Sequence, residues 1–235
     1  MSDSLRFKMP LLDAAQAQKH VTINEALLRA DVLGSRRVES RSLSTPPASP
    51  VDGTAYIVGN SATDAWAGTD GEIAIYLNGG WVFIAPWNGL QMWVEDEGYT
   101  TVYHGNTWIH GAISVSPFAA ATIVRVVEID HTLSAASTST TAAIIPDKAI
   151  VLGVSGRVID AIEGATSWSL GVPGSTDRYG AGYGIDAGSF ARGVTGQPQA
   201  YFGNTPLEVT SAGGNFTAGR IRLAVHFFEI TAPIS

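Results

Sequence analysis

WAGTDGEIAIYLNGGW (residues 66–81) is followed at a short distance by WVEDEGYTTVYHGNTW (residues 93–108), and the two stretches superimpose. Trp66, Gly71, Tyr76 and Trp81 return as Trp93, Gly98, Tyr103 and Trp108, each 27 residues on, with Asp70 and Glu97 in the same register. Within each copy an acid-Gly turn leads into alternating strand residues. A tight turn follows (Asn78-Gly79-Gly80; His104-Gly105-Asn106), and then a strand that carries a Trp. Asn and Gly supply the positive φ that two-residue hairpin loops need, so each copy is predicted to be a β-hairpin. A duplicated hairpin cannot bury an aromatic face by itself, so the copies must stack on one another or on neighbouring chains. Large aromatics at regular spacing read first as core or subunit-interface packing, and second as platforms for a sugar ring.

Composition supports β-structure on both sides of the repeat. The 235 residues include 26 Gly and 11 Pro, which suit short strands and tight turns and do not suit long helices. The apolar fraction of 45% is enough for a real core, whereas the charged fraction of 15% is low for a globular chain. Of 14 Lys and Arg, seven lie in residues 1–41, and none falls between Ser42 and Val124, where seven acids stand. Together with the net charge of −7, this argues against nucleic acid as a partner. There is no Cys, so neither disulfides nor thiolate metal sites are expected. No apolar run approaches the ~20 residues of a membrane span, and the N-terminus does not read as a secretory leader.

Before the repeat, residues 11–34 read as two short helices. Asp13 with Gln16 and Thr22 with Glu25 form two capping boxes, and Gly34 is placed to end the second helix. Ile23, Leu27 and Ala30 form a narrow stripe that must bury against something, either this chain or a particle onto which it docks. A DNA-reading role is disfavoured, because Arg29 is the only exposed cation of the second helix. Ser42–Asp52, with three prolines, reads as a linker.

After the repeat, strands are predicted at Thr122–Ile129, Ala149–Val154, Arg157–Ile162, Ser167–Leu170, Pro206–Thr210 and Arg220–Ile230, with a further one near Ala142–Ile145. The last of them alternates, with Ile221, Leu223, Val225 and Phe227 on one face. The fold class is therefore mainly β. A short helical segment (residues 1–45) precedes a repeated β-hairpin domain (46–115) and a C-terminal β-sandwich of jelly-roll type (116–235).

Motifs for chemistry are missing from the sequence. The five His show no metal-ligand spacing, and there is no nucleophile elbow or phosphate loop, so neither cofactor nor metal is expected and the chain reads as no enzyme. A polysaccharide depolymerase using Asp177 or Asp186 is the remaining catalytic alternative. The stretch 171–203 holds nine Gly among aromatic and charged residues, a pattern that sugar sites share. Trp168, Tyr179, Tyr183 and Tyr201 are the candidate stacking faces, and Asp177, Arg178 and Asp186 the candidate hydroxyl partners. The competing reading is a set of structural turns.

The run Met9-Pro10-Leu11-Leu12-Asp13-Ala14-Ala15-Gln16-Ala17-Gln18-Lys19-His20-Val21-Thr22-Ile23-Asn24-Glu25-Ala26-Leu27 resembles the N-terminal signature LPLL-x-AAQAQKHVT-x-NEAL. That signature marks a family of uncharacterised proteins encoded in alphaproteobacterial prophage and gene-transfer-agent clusters. PPASPVDGTAYIVG, GEIAIYLNGGWVF and APWNGLQMWVEDEG look like its continuation, so the resemblance spans residues 5–110; Ile23 departs from the His expected there. The C-terminal module is similar to the terminal domain of several such proteins.

The resemblance implies a fibre or head spike, attached to the capsid or tail of a phage-like particle and released from the bacterial cytoplasm by lysis. Its task would be adsorption to host cell-surface polysaccharide (capsule), with a homotrimer as the assembly and no insertion into membranes. Leu11, Leu12, Gln16, Gln18, Lys19, His20, Asn24, Glu25 and Leu27 would anchor it to the particle. The alternative is a structural adaptor with every aromatic buried.

Overall fold

The computed structural model describes residues 3–4, 6–12 and 19–234, and of residues 19–22 the backbone alone. It is mainly β, with one α-helix and several sheets among the described residues. The chain divides into two compact units, residues 1–121 with 233–235, and residues 122–232.

In the first unit, α1 (Lys19–Ser35) leads into β1 (Arg37–Val38). Three strands, β2 (Ala55–Ile57), β3 (Ile73–Leu77) and β4 (Gly80–Ile84), form one antiparallel meander. A second meander contains β5 (Gln91–Val94), β6 (Tyr99–His104) and β7 (Thr107–His110), extended by β1 lying parallel to β5. β8 (Ala112–Val115) follows.

The duplicated hairpins fold alike at their tips. Leu77 faces Gly80 across Asn78-Gly79, and His104 faces Thr107 across Gly105-Asn106. All four loop residues have positive φ, the conformation that matches the right-handed twist of the strands. The matched aromatics are cross-strand partners in both copies. Tyr76 and Trp81 have ring centroids 5.1 Å apart, and Tyr103 and Trp108 5.2 Å.

The first Trp of the repeat does not keep this equivalence. Trp66 lies in the long connection 58–72 between β2 and β3 and is fully buried against Tyr56 and Trp81, whereas Trp93 sits within β5 and is exposed. The 27-residue register therefore holds from the acid-Gly turn to the second Trp and fails ahead of it.

The helical reading needs three corrections. Thr22 does not cap a second helix, because α1 is continuous from Lys19 to Ser35; residues 13–18, where the first helix was expected, lie outside the described residues. Gly34 does not end the helix either, the left-handed residue being Arg36. Finally, of the two coverings open to the stripe Ile23, Leu27 and Ala30, the described residues of this chain do not supply one: Ile23 and Ala30 are exposed, and the apolar helix residues buried here are Leu28 and Val32. These two pack with Val38, Ile73, Ile75 and Met92 in one core. The expected modules 1–45 and 46–115 thus share a single interior. The proline-rich stretch is tied into the same unit, with the amides of Gly59 and Thr63 donating to the carbonyls of Leu43 and Ser44.

The second unit is a sandwich built from β9 (Ala121–Thr132), β10 (Thr138–Ile145), β11 (Ile150–Glu163), β12 (Ser167–Gly171), β13 (Phe190–Ala200), β14 (Thr205–Ala212) and β15 (Ala218–Ile230). Strands β13, β11, β15 and β9 run in that order in one sheet, and β10, β14 and β12 in the other; their pairings are antiparallel. Consecutive strands alternate between the sheets, which is jelly-roll winding. At the free side of β12, Trp168 pairs with Tyr183 in an isolated bridge, so the segment 179–183 stands where an eighth strand would lie.

Ile221, Leu223, Val225 and Phe227 face inward, as the alternation predicts, onto Leu170, Leu207 and Val209 of the other sheet. Fully burying such a side chain stabilises by about 1.5–3 kcal/mol. The two strands predicted at 149–162 are one long strand, because Ser155-Gly156 continues the ladder to both neighbours. Sequence reasoning missed β13, whose Gly193 and Gly196 read as turn residues. Gly193 is required by packing, since a Cβ there would strike the backbone of Tyr179.

Candidate functional site

The signature residues of the N-terminus serve first the fold of their own chain. The Asn24 side chain takes the amide of Leu12 (2.8 Å) and donates to its carbonyl (3.0 Å). Leu11 packs on the core of the first unit, Leu27 is half-buried, and Glu25 pairs with Arg29 one turn on. Gln16 and Gln18 lie outside the described residues, and Lys19 and His20 open α1 with their side chains undescribed. Two residues carrying much of this arrangement were not singled out from sequence. The buried carboxylate of Asp31 accepts the backbone amides of Arg6 (2.7 Å) and Phe7. The Arg6 guanidinium donates to Ser35 Oγ and to the carbonyls of Arg37 and Gly53. What remains on the outside of α1 is an apolar stripe of Ile23, Ala26, Leu27 and Ala30.

Of the four aromatics expected to stack on a sugar, three are interior. Trp168, Tyr179 and Tyr201 are buried in the core of the second unit, so they are not stacking platforms. Trp168 Nε1 donates to the carbonyl of Gly184 (2.9 Å), and the hydroxyls of Tyr179 and Tyr201 share a hydrogen bond of 2.7 Å. Burial, reinforced by that bond, pushes the Tyr179 phenol well above the ordinary tyrosine range, so it stays neutral. Tyr183 is half-buried against Trp168, ring centroids 4.9 Å apart, and donates to the Tyr179 carbonyl. Asp177, Arg178 and Asp186 are exposed, and of the expected aromatics only the half-buried Tyr183 keeps appreciable accessible surface. Arg178 reaches across to Gln199 Oε1 at 3.2 Å.

Aromatic and charged groups do meet elsewhere, on the outer face of the β13-β11-β15-β9 sheet. The ladder fixes which residues share that face, because directly opposed residues of an antiparallel pair project the same way. One row across the strands reads Asp130, Arg222, Arg157, Phe190; the next reads Glu128, Ala224, Ser155, Arg192. All of these except Asp130 line a depression of about 370 Å³, whose flanks include Arg157, Arg192, Arg222, Glu128 and the half-exposed ring of Phe190. An apolar depression of about 380 Å³ adjoins it, sharing Ser155 and Arg192 and including Leu152, Val194 and His226.

The charges in this face are unevenly compensated. Arg222 makes a two-pronged contact with Asp130, at 2.6 and 2.9 Å. That hydrogen bond holds the Asp130 carboxyl below its usual range and raises the Arg222 guanidinium. Arg157, by contrast, donates to the carbonyl of Gly188 (3.1 Å), and the Arg192 guanidinium lies 5.2 Å from the Phe190 ring centroid. Among the described residues neither pairs with a carboxylate. Phe190 and Arg192 fall within the glycine-rich stretch singled out from sequence, but only recognition of β13 would have placed them beside Arg157 and Arg222.

Residues 23–109 match a family described as Protein of unknown function (DUF2793). The match falls within the stretch whose motifs resemble prophage-encoded proteins, and the jelly roll lies beyond it. No curated protein sequence matches the chain. Among solved structures, the chain is similar to one from a cyanophage Pam1 capsid asymmetric unit, with 24% identity and a TM-score of 0.35 over 50% of this chain and 91% of that one. A chain from Bacillus endospore appendages, described as a novel family of disulfide-linked pili, shows 13% identity and a TM-score of 0.22 over 49% of this chain and 91% of its own. Among the described residues no helix is long and apolar enough to cross a membrane, and no group of acidic or His side chains is arranged to hold a metal ion.

Proposed function

We propose that the chain is a structural and adhesive component of a phage-like particle, with its first unit attached to other particle proteins and its jelly roll binding host cell-surface polysaccharide. The observation that carries this reading is the outer sheet face of the second unit. There an accessible Phe ring, three arginines and a carboxylate line one depression on a rigid ladder, the combination that engages sugar rings and their hydroxyls. The prophage-type signature and the DUF2793 match both fall in the first unit, which supports a shared attachment module joined to a separate binding domain. The apolar stripe of Ile23, Ala26, Leu27 and Ala30 supplies a surface for that attachment. The role is one of binding, without catalysis.

The reading is tested by placing Ile23→Asp with Leu27→Asp in the full chain and measuring how much protein purified particles retain. Both positions are exposed or half-buried, so the chain is expected to stay folded while incorporation falls. Particles depleted in this way are expected to adsorb poorly to encapsulated cells. Normal incorporation would remove α1 from the attachment surface. Depleted particles that adsorb normally would favour a purely structural adaptor.

A further inference from the structure

Arg157 and Arg222 stand directly opposite each other on β11 and β15, and like charges in that relation destabilise a sheet. Asp130 compensates only one of them. Arg192 sits diagonally from Arg157 on β13, two residues along from Phe190 and on the same face. Three guanidiniums are thereby drawn to one depression with a single bidentate carboxylate partner among them, and packing does not account for this. Arg157 and Arg192 are both outward-facing and could be replaced by neutral residues without opening a cavity.

We propose that this depression binds the carboxylate of an acidic saccharide, seated between Arg157 and Arg192, with the sugar ring against Phe190. This rests on the adhesive reading above and assigns its ligand class. Planar guanidiniums match a carboxylate in geometry and donate charge-assisted hydrogen bonds to it. A bound anion also relieves the Arg157–Arg222 opposition. The Glu128 carboxylate and the Ser155 hydroxyl, which line the same depression, are acceptors for the ring hydroxyls.

The charge of this face also separates an acidic glycan from a nucleic acid. A phosphate backbone calls for an extended basic track, and here two acids, Glu128 and Asp130, flank the cations on β9 in a chain of net charge −7.

The test is calorimetric titration of the full chain with alginate oligosaccharides, with the same oligosaccharides after carboxyl reduction, with neutral dextran and with a single-stranded oligonucleotide. Alginate is expected to bind, and carboxyl reduction to weaken binding on the order of tenfold or more, the worth of a charge-assisted contact. Arg157→Gln and Arg192→Gln are expected to lower alginate affinity by a similar factor, and Arg178→Gln to leave it unchanged. Arg157→Gln is also expected to hold or raise the urea midpoint, since it removes a like-charge opposition, so a loss of binding would not be a loss of fold.

Equal binding of the reduced and the carboxylated saccharide would overturn the ligand class while leaving adhesion to neutral glycan standing. Binding of the oligonucleotide as tight as that of alginate, or no binding of any saccharide, would also overturn the proposal. The adhesive reading itself fails separately, when particles adsorb equally well with and without the protein.

Discussion

Trp168 and Tyr179 illustrate how little the type of a residue says about its exposure. Both sit in or beside a glycine-rich stretch with charged neighbours, the pattern of a sugar site, yet both are interior. Trp168 fills the space between the two sheets of the jelly roll, and Tyr179 ties the segment 179–183 to Tyr201. Trp168→Ala is expected to cost about 3–5 kcal/mol by leaving a cavity. Tyr179→Phe is expected to cost about 1–3 kcal/mol by removing the partner of the Tyr201 hydroxyl. Urea denaturation measures both, and the folded fraction of each variant is expected to bind ligand as the parent does. A Trp168→Ala protein with an unchanged midpoint and no binding would restore the stacking role. At this scale sequence separated Ile221, Leu223, Val225 and Phe227 correctly, because strict alternation is itself a burial signal. No such signal attends a Tyr between glycines.

Among elements, the hairpin tips were the most legible, since Asn-Gly and Gly-Asn pairs dictate the backbone and the loops at 78–79 and 105–106 adopt positive φ throughout. Strand β13 was the least legible. Its glycines read locally as turns, and only tertiary contact shows that Gly193 is there so that Tyr179 can approach. The turn from β9 to β10 carries a testable pH dependence. His131 Nε2 lies 2.8 Å from Ser139 Oγ, which also accepts from the amide and the hydroxyl of Ser134, each at 3.0 Å. Burial lowers the His131 pKa below its ordinary value. The unfolded chain therefore takes up this proton at a higher pH than the folded chain, and stability falls as pH drops below about 6.5. Urea midpoints at pH 5 and pH 7.5 are expected to show that loss, and His131→Asn is expected to reduce it. Parallel profiles for the two proteins would exclude His131 as the source.

For the whole molecule, the proposed function divides between the two units. The sequence resemblance and the DUF2793 match both concern the first, where an N-terminal segment is pinned by Asn24 and Asp31 to a helix that keeps an apolar stripe outside. The proposed binding face belongs to the second. It was hidden from sequence because its members are scattered over Glu128, Arg157, Arg192 and Arg222 and meet only through the ladder β9-β15-β11-β13. The most direct test compares adsorption to encapsulated cells of particles carrying two double variants, Phe190→Ala with Arg192→Gln on the sheet face, and Asp177→Asn with Asp186→Asn in the loops. The sheet-face variant is expected to be incorporated normally and to lose adsorption, and the loop variant to retain it. Retained adsorption by the sheet-face variant, with loss in the loop variant, would contradict the assignment of the outer sheet face as the binding surface.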